Sequence, residues 1–360
     1  MKRIISFFLT IIMLLLSTGV IYGEEIKYIA LGDSITEGYG LEDKSIAYPS
    51  VFAEKRQLSL TNAGVSGMTG NELLEYIKTD DNISQAQVIT VSIGSNDLLQ
   101  PLIEIIAKNI GLDLSTVQDD KLMAIKARIL EIYDNGNGKT ELQNIFNALT
   151  KELTGNEVLY AAADNFANVE FPAIIAEIRS KNADARIFVT DIYNPYNNVT
   201  ISVPLDSGVS AFVDLGVICQ PYVDRINAAF SNPKDYITVN ISEIFATRLL
   251  TDVTKDIAFN DLDNVNLDPH PNFAGHAVIA TLMANAYKSE FLYGDADSNG
   301  VLAANDSAKI LQYVLDKGSV DMTKDELVKA DVNGDGAITA DDAAQVLQKV
   351  LVNTYTFAVE

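Results

Sequence analysis

The sequence predicts an α/β protein, with a three-layer α/β/α domain followed by a small all-α module. Strand-like and helix-like segments alternate along most of the chain, which favours a parallel sheet covered by helices on both faces. Near the C-terminal end, a short acidic loop followed by an amphipathic helix occurs twice, starting at Asp295 and at Asp331, which indicates an internal repeat. The chain has 360 residues, 48% of them apolar, which is enough for one large core and one small module.

Residues 1–23 predict a secretory signal. The chain begins with the basic residues Lys2 and Arg3, continues with an almost wholly apolar run over residues 4–16, and then reaches small residues. An uncleaved membrane anchor is the alternative, because residues 20–22 lengthen the apolar run toward the length that spans a bilayer. We expect a secreted, extracellular protein whose first folded domain covers residues 24–292.

The order of the predicted elements places the chemistry at one edge of the sheet. In open α/β sheets, ligands bind beyond the carboxyl ends of the strands, so polar residues that follow strands are the candidates for a site. A helix-rich insertion over residues 98–165 is expected to overhang this site and shape the substrate pocket; the alternative is that it packs far from the substrate. Strands are predicted over residues 27–31, 58–63, 88–92, 186–191 and 236–240, and helices over residues 47–57, 70–79, 122–133, 142–153, 166–181 and 273–288.

Four polar blocks carry the candidate site residues. Taken singly, each block favours a structural explanation, for example a serine at a helix N-cap, a glycine in a turn or an asparagine in an Asx turn. Together they contain the groups that acyl transfer needs, because a serine hydroxyl requires an imidazole to take its proton and amide donors to stabilise the tetrahedral intermediate. The blocks are Gly32-Asp33-Ser34 after the first strand, Asn62 to Gly67 after the second, Gly94-Ser95-Asn96-Asp97 after the third, and Asp268-Pro269-His270 before the last helix.

This set of blocks resembles the SGNH (GDSL) hydrolases, over about residues 27–287. The resemblance implies a flavodoxin-like α/β/α fold and an esterase activity without a catalytic cofactor. It makes Ser34 the nucleophile and His270 the general base. Ser34 N–H, Gly67 N–H and the side-chain amide of Asn96 would form the oxyanion hole.

The residue that orients His270 is left open by the sequence. The family usually has an aspartate three residues before the histidine, but Leu267 occupies that position. Asp268 is one candidate, an aspartate further upstream (Asp261 or Asp263) is another, and a main-chain carbonyl is the third. We favour Asp268, because the acid of a triad is recognised by its geometry rather than by sequence spacing.

The two acidic loops have the layout of calcium sites. Side-chain oxygens recur at positions 1, 3 and 5, glycine stands at 6, a backbone carbonyl is available at 7, and aspartate stands at 12. A solvated acidic turn is the alternative for one loop alone, and the repetition disfavours it. The predicted ligands are Asp295, Asp297, Asn299, Val301 O and Asp306 in the first loop, and Asp331, Asn333, Asp335, Ala337 O and Asp342 in the second.

These loops have aspartate rather than glutamate at position 12, and no predicted helix enters either of them. In both respects residues 293–352 resemble the dockerin family. The resemblance implies structural Ca²⁺ and binding to a cohesin module of a scaffolding protein. Residues 304–305 and 340–341, at the loop positions that help to choose the partner, leave the cohesin type open. Residues 353–360 are interpreted as a C-terminal tail.

Composition and context limit the remaining choices. The net charge of −23 argues against nucleic acid as a partner, and the single cysteine, Cys219, excludes an intramolecular disulfide. The leading hypothesis, taken by association from the dockerin, is deacetylation of acetylated hemicellulose within a cellulosome-type complex. The alternatives are a lipase or general esterase for longer acyl esters, and an inactive binding protein.

Overall fold

The computed structural model describes residues 26–117, 121–204, 210–231, 233–258, 264–289, 292–298, 302–316, 320–352 and 355–359. These residues form two compact units, one over Lys27–Ala286 and the other within Tyr287–Glu360. The predicted signal over residues 1–23 lies outside the described part of the chain. Within the described part, no helix has the length and apolar character needed to cross a membrane.

The first unit is built on a five-stranded sheet. Its strand order is β2 (Leu58–Gly64), β1 (Ile26–Gly32), β3 (Val88–Ser92), β4 (Arg186–Thr190) and β7 (Ile237–Val239), which is the flavodoxin-like order. Strands β1, β3, β4 and β7 pair in parallel. The predicted strands agree with this sheet to within one or two residues at each end. The described strands are β1 Ile26–Gly32, β2 Leu58–Gly64, β3 Val88–Ser92, β4 Arg186–Thr190, β5 Thr200–Pro204, β6 Ser210–Asp214, β7 Ile237–Val239 and β8 Asp256–Ala258.

Helices connect and cover these strands. The predicted helix over residues 70–79 matches the observed one at both ends, while the pattern over residues 166–181 is divided between a π-helical turn at Phe166–Glu170 and a helix. In this unit the described helices are α1 Ser34–Glu37, α2 Tyr48–Arg56, α3 Gly70–Thr79, α4 Ser95–Asn109, α5 Lys121–Asp134, α6 Gly138–Leu153, α7 Glu157–Asn165, α8 Phe171–Lys181, α9 Leu215–Asn227, α10 Ser242–Thr247 and α11 Phe273–Ser289.

The central strands are buried on both faces. Ile29 on one face of β1 lies in a buried cluster with Leu73 of α3 and Ile174 of α8. Tyr28 points to the opposite face, since side chains alternate along a strand, and its ring packs edge-on against Phe52 of α2 with 5.2 Å between centroids. The predicted three-layer arrangement is therefore confirmed.

A second, three-stranded sheet was not predicted. Its order is β6-β5-β8, with β5 antiparallel to β6 and parallel to β8. Ile201 of β5 and Ile257 of β8 share a buried apolar cluster with Ile125 of α5 and Leu142 of α6. The insertion helices and this sheet thus form one packed layer beside the main core.

The second unit contains the two loop–helix repeats. Its helices are α12 Ala304–Leu315, α13 Lys324–Ala330 and α14 Ala340–Leu351. The loop aspartates Asp306 and Asp342 are fully buried at the first turns of α12 and α14. In the predicted tail, Phe357 is only 2% exposed, and the hydroxyl of Tyr355 is 3.1 Å from Oε1 of Gln345.

Candidate active site

Ser34 lies where β1 passes into α1. The preceding Gly32 has φ of +154°, a left-handed conformation that favours glycine, and a Cβ there would stand 2.2 Å from the carbonyl oxygen of Ser92. Asp33 caps the short helix, because its Oδ1 accepts the N–H of Ile35 at 3.0 Å. The turn therefore holds Ser34 at the carboxyl end of the central strand.

His270 contacts both residues that the sequence placed beside it. Its Nε2 is 2.8 Å from Oγ of Ser34, and its Nδ1 is 2.5 Å from Oδ1 of Asp268. With the Nδ1 proton facing the carboxylate, Nε2 is left to accept the serine O–H. The structure thus brings Ser34, His270 and Asp268 into one continuous hydrogen-bonded row, which is the geometry expected of a Ser-His-Asp triad.

A local turn explains how an aspartate only two residues away reaches the imidazole. Oδ1 of Asp268 also accepts the backbone N–H of His270 at 3.0 Å, and the backbone N–H of Asp268 donates to Oδ1 of Asn266 at 3.0 Å. The hydrogen bond from His270 lowers the pKa of Asp268, so this carboxyl is ionised at neutral pH.

Two tyrosines that sequence reasoning missed hold the histidine segment. The ring of Tyr39 lies 4.5 Å, centroid to centroid, from the imidazole of His270. The hydroxyl of Tyr193 donates to the carbonyl of Pro269 at 2.7 Å. Neither tyrosine belongs to a polar block, so no sequence signal separates them from the other 13 of the 15 tyrosines.

Asn96 lies beside Ser34, because β3 and β1 are parallel neighbours with Gly32 opposite Ser92. Nδ2 of Asn96 donates to the carbonyl of Met68 at 3.0 Å and stands 3.5 Å from Oδ2 of Asp33. The distance to Asp33 is too long for a strong hydrogen bond. The N–H of Asn96 that faces Asp33 is therefore the more available donor.

Gly67 lies in the turn that follows β2, next to Met68, and has φ of +81°. Its backbone carbonyl accepts a hydrogen bond from Nε2 of Gln100 at 3.3 Å. The neighbouring Ser66 is bound to the helix that begins at Ser34, because its N–H donates to Oε2 of Glu37 in that helix at 2.9 Å. The oxyanion role of the Gly67 N–H stays a prediction.

Buried carboxyls surround this edge of the sheet. Burial raises the pKa of Asp33 to about 6, with partial offset from the N–H of Ile35 and from His270. Burial, followed by a hydrogen bond with Glu170, raises the pKa of Asp97 to about 7, while both oxygens of Asp97 accept the N–H of Gly70. Asp97 therefore ties the start of α3 to the Asn96 block.

An apolar cavity of about 110 Å³ adjoins Ser34 and His270. Leucines from the predicted insertion form one wall, so the insertion does contribute to this site. Cys219 also lines the cavity, and burial raises the pKa of its thiol to about 12, which keeps it protonated. The remaining apolar lining residues include Leu98, Leu99, Leu102, Leu153, Leu159, Ile192, Ile218, Tyr222 and Val223.

His276, the other histidine, lies apart from this row. It is fully buried at the start of α11, and its Nδ1 accepts the N–H of Tyr48 at 3.2 Å. Burial lowers the pKa of His276 to about 4, so the ring is neutral. A structural part in packing, as expected from the sequence, agrees with these contacts.

The first acidic loop gathers carboxylates that fit a cation. Oxygens of Asp295, Asp297 and Asp306 lie within 4.8 Å of one another. Burial raises the pKa of Asp306, with Asp297 and Asp295 adding repulsion, and a divalent cation would offset this cost. The other two predicted ligands, Asn299 and Val301, lie outside the described residues.

The second loop also carries carboxyls whose pKa is raised by burial, Asp331 and Asp342. Burial raises the pKa of Asp331, and the nearby Asp342 and Asp335 raise it further. Asp331 accepts the N–H groups of Gly334 and Gly336, each at 2.9 Å, which folds the loop around its carboxylate. Its predicted ligand oxygens are of the hard kind that Ca²⁺ prefers, and they belong to Asp331, Asn333, Asp335, Ala337 and Asp342. Among the described residues, only the carboxylates of the first loop converge closely enough to hold a metal ion, so calcium binding by the second loop stays a prediction.

Comparison with known families agrees with both resemblances. Residues 30–278 match the family described as GDSL-like lipase/acylhydrolase, and residues 293–351 match the dockerin type I domain. No curated protein matches the chain.

Solved structures with a similar chain include several lipolytic enzymes. A lipase, Lip_vut3, from a goat rumen metagenome is 17% identical, with 72% of this chain and 97% of that chain covered and a TM-score of 0.42. A phospholipase A1 from Streptomyces albidoflavus is also 17% identical, with coverages of 74% and 99% and a TM-score of 0.41. An extracellular lipase from Streptomyces rimosus is 17% identical, with coverages of 73% and 99% and a TM-score of 0.40. Values this low say nothing about substrate.

Proposed function

The chain belongs to the GDSL-like lipase/acylhydrolase family of ester hydrolases and carries a dockerin type I domain, and we propose that it is a secreted serine esterase. Its substrates would be esters of an apolar acyl group longer than acetyl. Dockerin type I domains bind calcium and cohesins. The enzyme would therefore work outside the cell, attached to a scaffolding protein through its second unit. The observation that carries the acyl preference is the apolar cavity beside Ser34.

The hydrogen-bonded row of Ser34, His270 and Asp268 supports an acyl-enzyme mechanism. Nε2 of His270 takes the Ser34 proton as Oγ attacks the ester carbonyl, and Asp268 stabilises the imidazolium that forms. The imidazolium then protonates the leaving alcohol, whose bond to the acyl carbon breaks. Water, deprotonated by the same His270, attacks the acyl-enzyme and releases the carboxylic acid and free Ser34.

The oxyanion donors follow from the same edge of the sheet. We assign the stabilisation of the negative charge on the former carbonyl oxygen to the backbone N–H groups of Ser34 and Gly67 and to the side-chain amide of Asn96. The weakly engaged N–H of Asn96, 3.5 Å from Asp33, would turn to the oxyanion as it forms. Such donors lower the barrier because they are fixed before the reaction and need no reorganisation.

The lining of the cavity supports the acyl preference. An acetyl group would leave most of the leucine and isoleucine surface of the cavity without a partner. Each further methylene that is buried there would improve the free energy of binding by about 0.8 kcal/mol. The longer-acyl hypothesis is thus favoured by the cavity. Deacetylation of hemicellulose, the leading hypothesis from the sequence, is supported by the dockerin and stays the second candidate.

A chain-length series tests the proposal. Wild type and Ser34→Ala would be assayed on p-nitrophenyl acetate, butanoate, octanoate and dodecanoate, and on acetylated xylan. We expect kcat/KM of the wild type to rise beyond acetate and activity to vanish in Ser34→Ala. A preference for acetate, together with acetate release from xylan, would refute the acyl assignment in favour of deacetylation. Failure to hydrolyse any ester or to react with a serine-directed phosphonate would favour the binding-protein alternative.

A further inference from the structure

A second apolar cavity lies in the first unit, between the insertion helices and the three-stranded sheet. Its volume is about 130 Å³, comparable to the about 110 Å³ of the cavity beside Ser34. Its walls come from α4, α5, α6 and α9, from all three strands of the second sheet, and from the segment that precedes Asp268. Among its lining residues are Ile129, Phe146, Ile201, Val213, Ile257 and Leu267.

Two side chains line both cavities. Leu153, at the end of α6, is 7% exposed, and Ile218 of α9 is half-buried. These two side chains therefore form the partition between the cavity beside Ser34 and the second cavity. Both are side chains rather than backbone, so a rotamer change at either one would alter the separation between the two cavities.

The interior chemistry of the second cavity limits its occupant. Two polar side chains, Lys126 and Thr150, are part of the lining, and both have their polar ends engaged: Nζ of Lys126 donates to the carbonyl of Val265 at 2.7 Å, and Oγ1 of Thr150 to that of Phe146 at 2.8 Å. A cavity with so few polar partners does not hold ordered water, so the fitting occupant is apolar.

The segment that carries the catalytic histidine borders this cavity. Leu267 lines the second cavity, and the next residue, Asp268, contacts His270. The hydroxyl of Tyr196, which lines the first cavity, is 3.4 Å from the carbonyl of Leu267. The residue that replaces the family's usual aspartate thus contributes an apolar wall to the second cavity.

We propose that the second cavity is a subsite for the distal methylenes of a fatty acyl chain whose ester carbon is attacked by Ser34, with Leu153 and Ile218 as the gate that sets chain length. The inference rests on the proposed function, since the acyl chain of an ester held at Ser34 would reach the second cavity from the first. Each methylene that passes the gate would raise kcat/KM about fourfold, the transfer of one CH₂ out of water.

A fluorescence reporter tests occupancy without turnover. The chain has no tryptophan, so Phe146→Trp would place a single indole in the second cavity. We expect its emission to change when Ser34 is phosphonylated by p-nitrophenyl dodecylphosphonate, but not by the ethylphosphonate. In that step Ser34 Oγ bonds to phosphorus and p-nitrophenolate leaves. Phe212→Trp, at a position 72% exposed on β6, is the matched control and should respond to neither. Equal responses of Phe146→Trp to both phosphonates would overturn the proposal.

Kinetics test the subsite independently. Ile129→Trp fills the second cavity from α5, a position that does not line the first. We expect the ratio of kcat/KM for dodecanoate over butanoate to fall at least tenfold in Ile129→Trp, and to keep its wild-type value in Phe212→Trp. An unchanged ratio in a correctly folded Ile129→Trp protein would count against the subsite.

Different outcomes distinguish a missing subsite from a missing esterase activity. If wild type hydrolyses esters but neither the ratio nor the emission responds, the subsite is wrong and the esterase proposal stands. If wild type hydrolyses no ester, the proposed function fails, and dodecanoate itself then serves as the probe. Saturable dodecanoate binding to Phe146→Trp would still support an apolar site, and no change in emission would refute it.

Discussion

The most direct test of the site is Asp268→Asn. This substitution keeps the size of the side chain but removes the charge that faces Nδ1 of His270 at 2.5 Å. An asparagine that turns its amide toward the ring also favours the wrong imidazole tautomer, in which Nε2 carries the proton and cannot accept the one from Ser34. We therefore expect a lower kcat, with little change in the fold.

The magnitude follows from the hydrogen bond that is lost. A hydrogen bond to a charged group contributes about 1.5–3 kcal/mol, which corresponds to a factor of about 10 to 150 in rate. The Asp268 side chain is 39% exposed, so water partly replaces the lost interaction. The effect should therefore be smaller than the about 10⁴-fold loss known for the buried triad aspartate of a protease.

The assay is kcat/KM on p-nitrophenyl butanoate, with thermal melting to verify folding. Asp252→Asn, at an exposed aspartate, is the matched control and should stay within twofold of wild type. If Asp268→Asn also stays within twofold while melting normally, Asp268 does not orient His270. A main-chain carbonyl or another aspartate would then take that role.

The buried carboxyls make the stability of the protein depend on pH and on calcium. Burial raises the folded-state pKa of Asp33 to about 6 from an ordinary value of 3.8, so Asp33 lowers stability once the pH passes the unfolded value. Asp33→Asn should therefore raise the free energy of unfolding by up to about 3 kcal/mol at pH 8, and this gain should disappear below about pH 4. Urea unfolding of wild type and variant at several pH values measures the difference. A variant that is less stable than wild type at pH 8 would contradict the prediction. Removal of calcium should leave the buried carboxyls of Asp306 and Asp342 without a counter-charge and unfold the second unit, while ester hydrolysis continues. One chelator titration, followed by circular dichroism, cohesin binding and ester hydrolysis, measures this. Loss of hydrolysis at the same chelator concentration as loss of cohesin binding would show that the prediction is wrong.

Much of the main sheet could be predicted because its signals are local. The helix Gly70–Thr79 has both a capping box and an apolar face, and the strand Val88–Ser92 is an apolar run buried along its whole length. The three-stranded sheet was missed although Thr200–Pro204 alternates apolar and polar residues. Its partner Asp256–Ala258 has three residues and pairs with it across a long stretch of chain, so the pairing is a tertiary property.

The candidate site divides in the same way. Ser34, Asn96 and His270 come from blocks whose residue types are dictated by the chemistry, and the sequence therefore exposes them. The close approach of Asp268 to His270 depends on a turn two residues long, which the sequence could only propose among three options. The apolar cavities depend on how α4, α6 and α9 pack, and leucines at those positions are indistinguishable in sequence from ordinary core residues.

The division between triad and lining bears on how acyl preference can change. The residues of the proposed triad are held by a backbone with little room to change: beside Ser34, for example, a Cβ at Gly32 would stand 2.2 Å from the carbonyl oxygen of Ser92. The partition residues have no such constraint, but they differ in what else they support. Leu153 is nearly buried, so its truncation to alanine would cost about 2–5 kcal/mol of stability, whereas the half-buried Ile218 would cost less. If Leu153 and Ile218 form the proposed gate, the preferred acyl chain length is therefore most readily altered at Ile218, where a substitution is least coupled to the stability of the core.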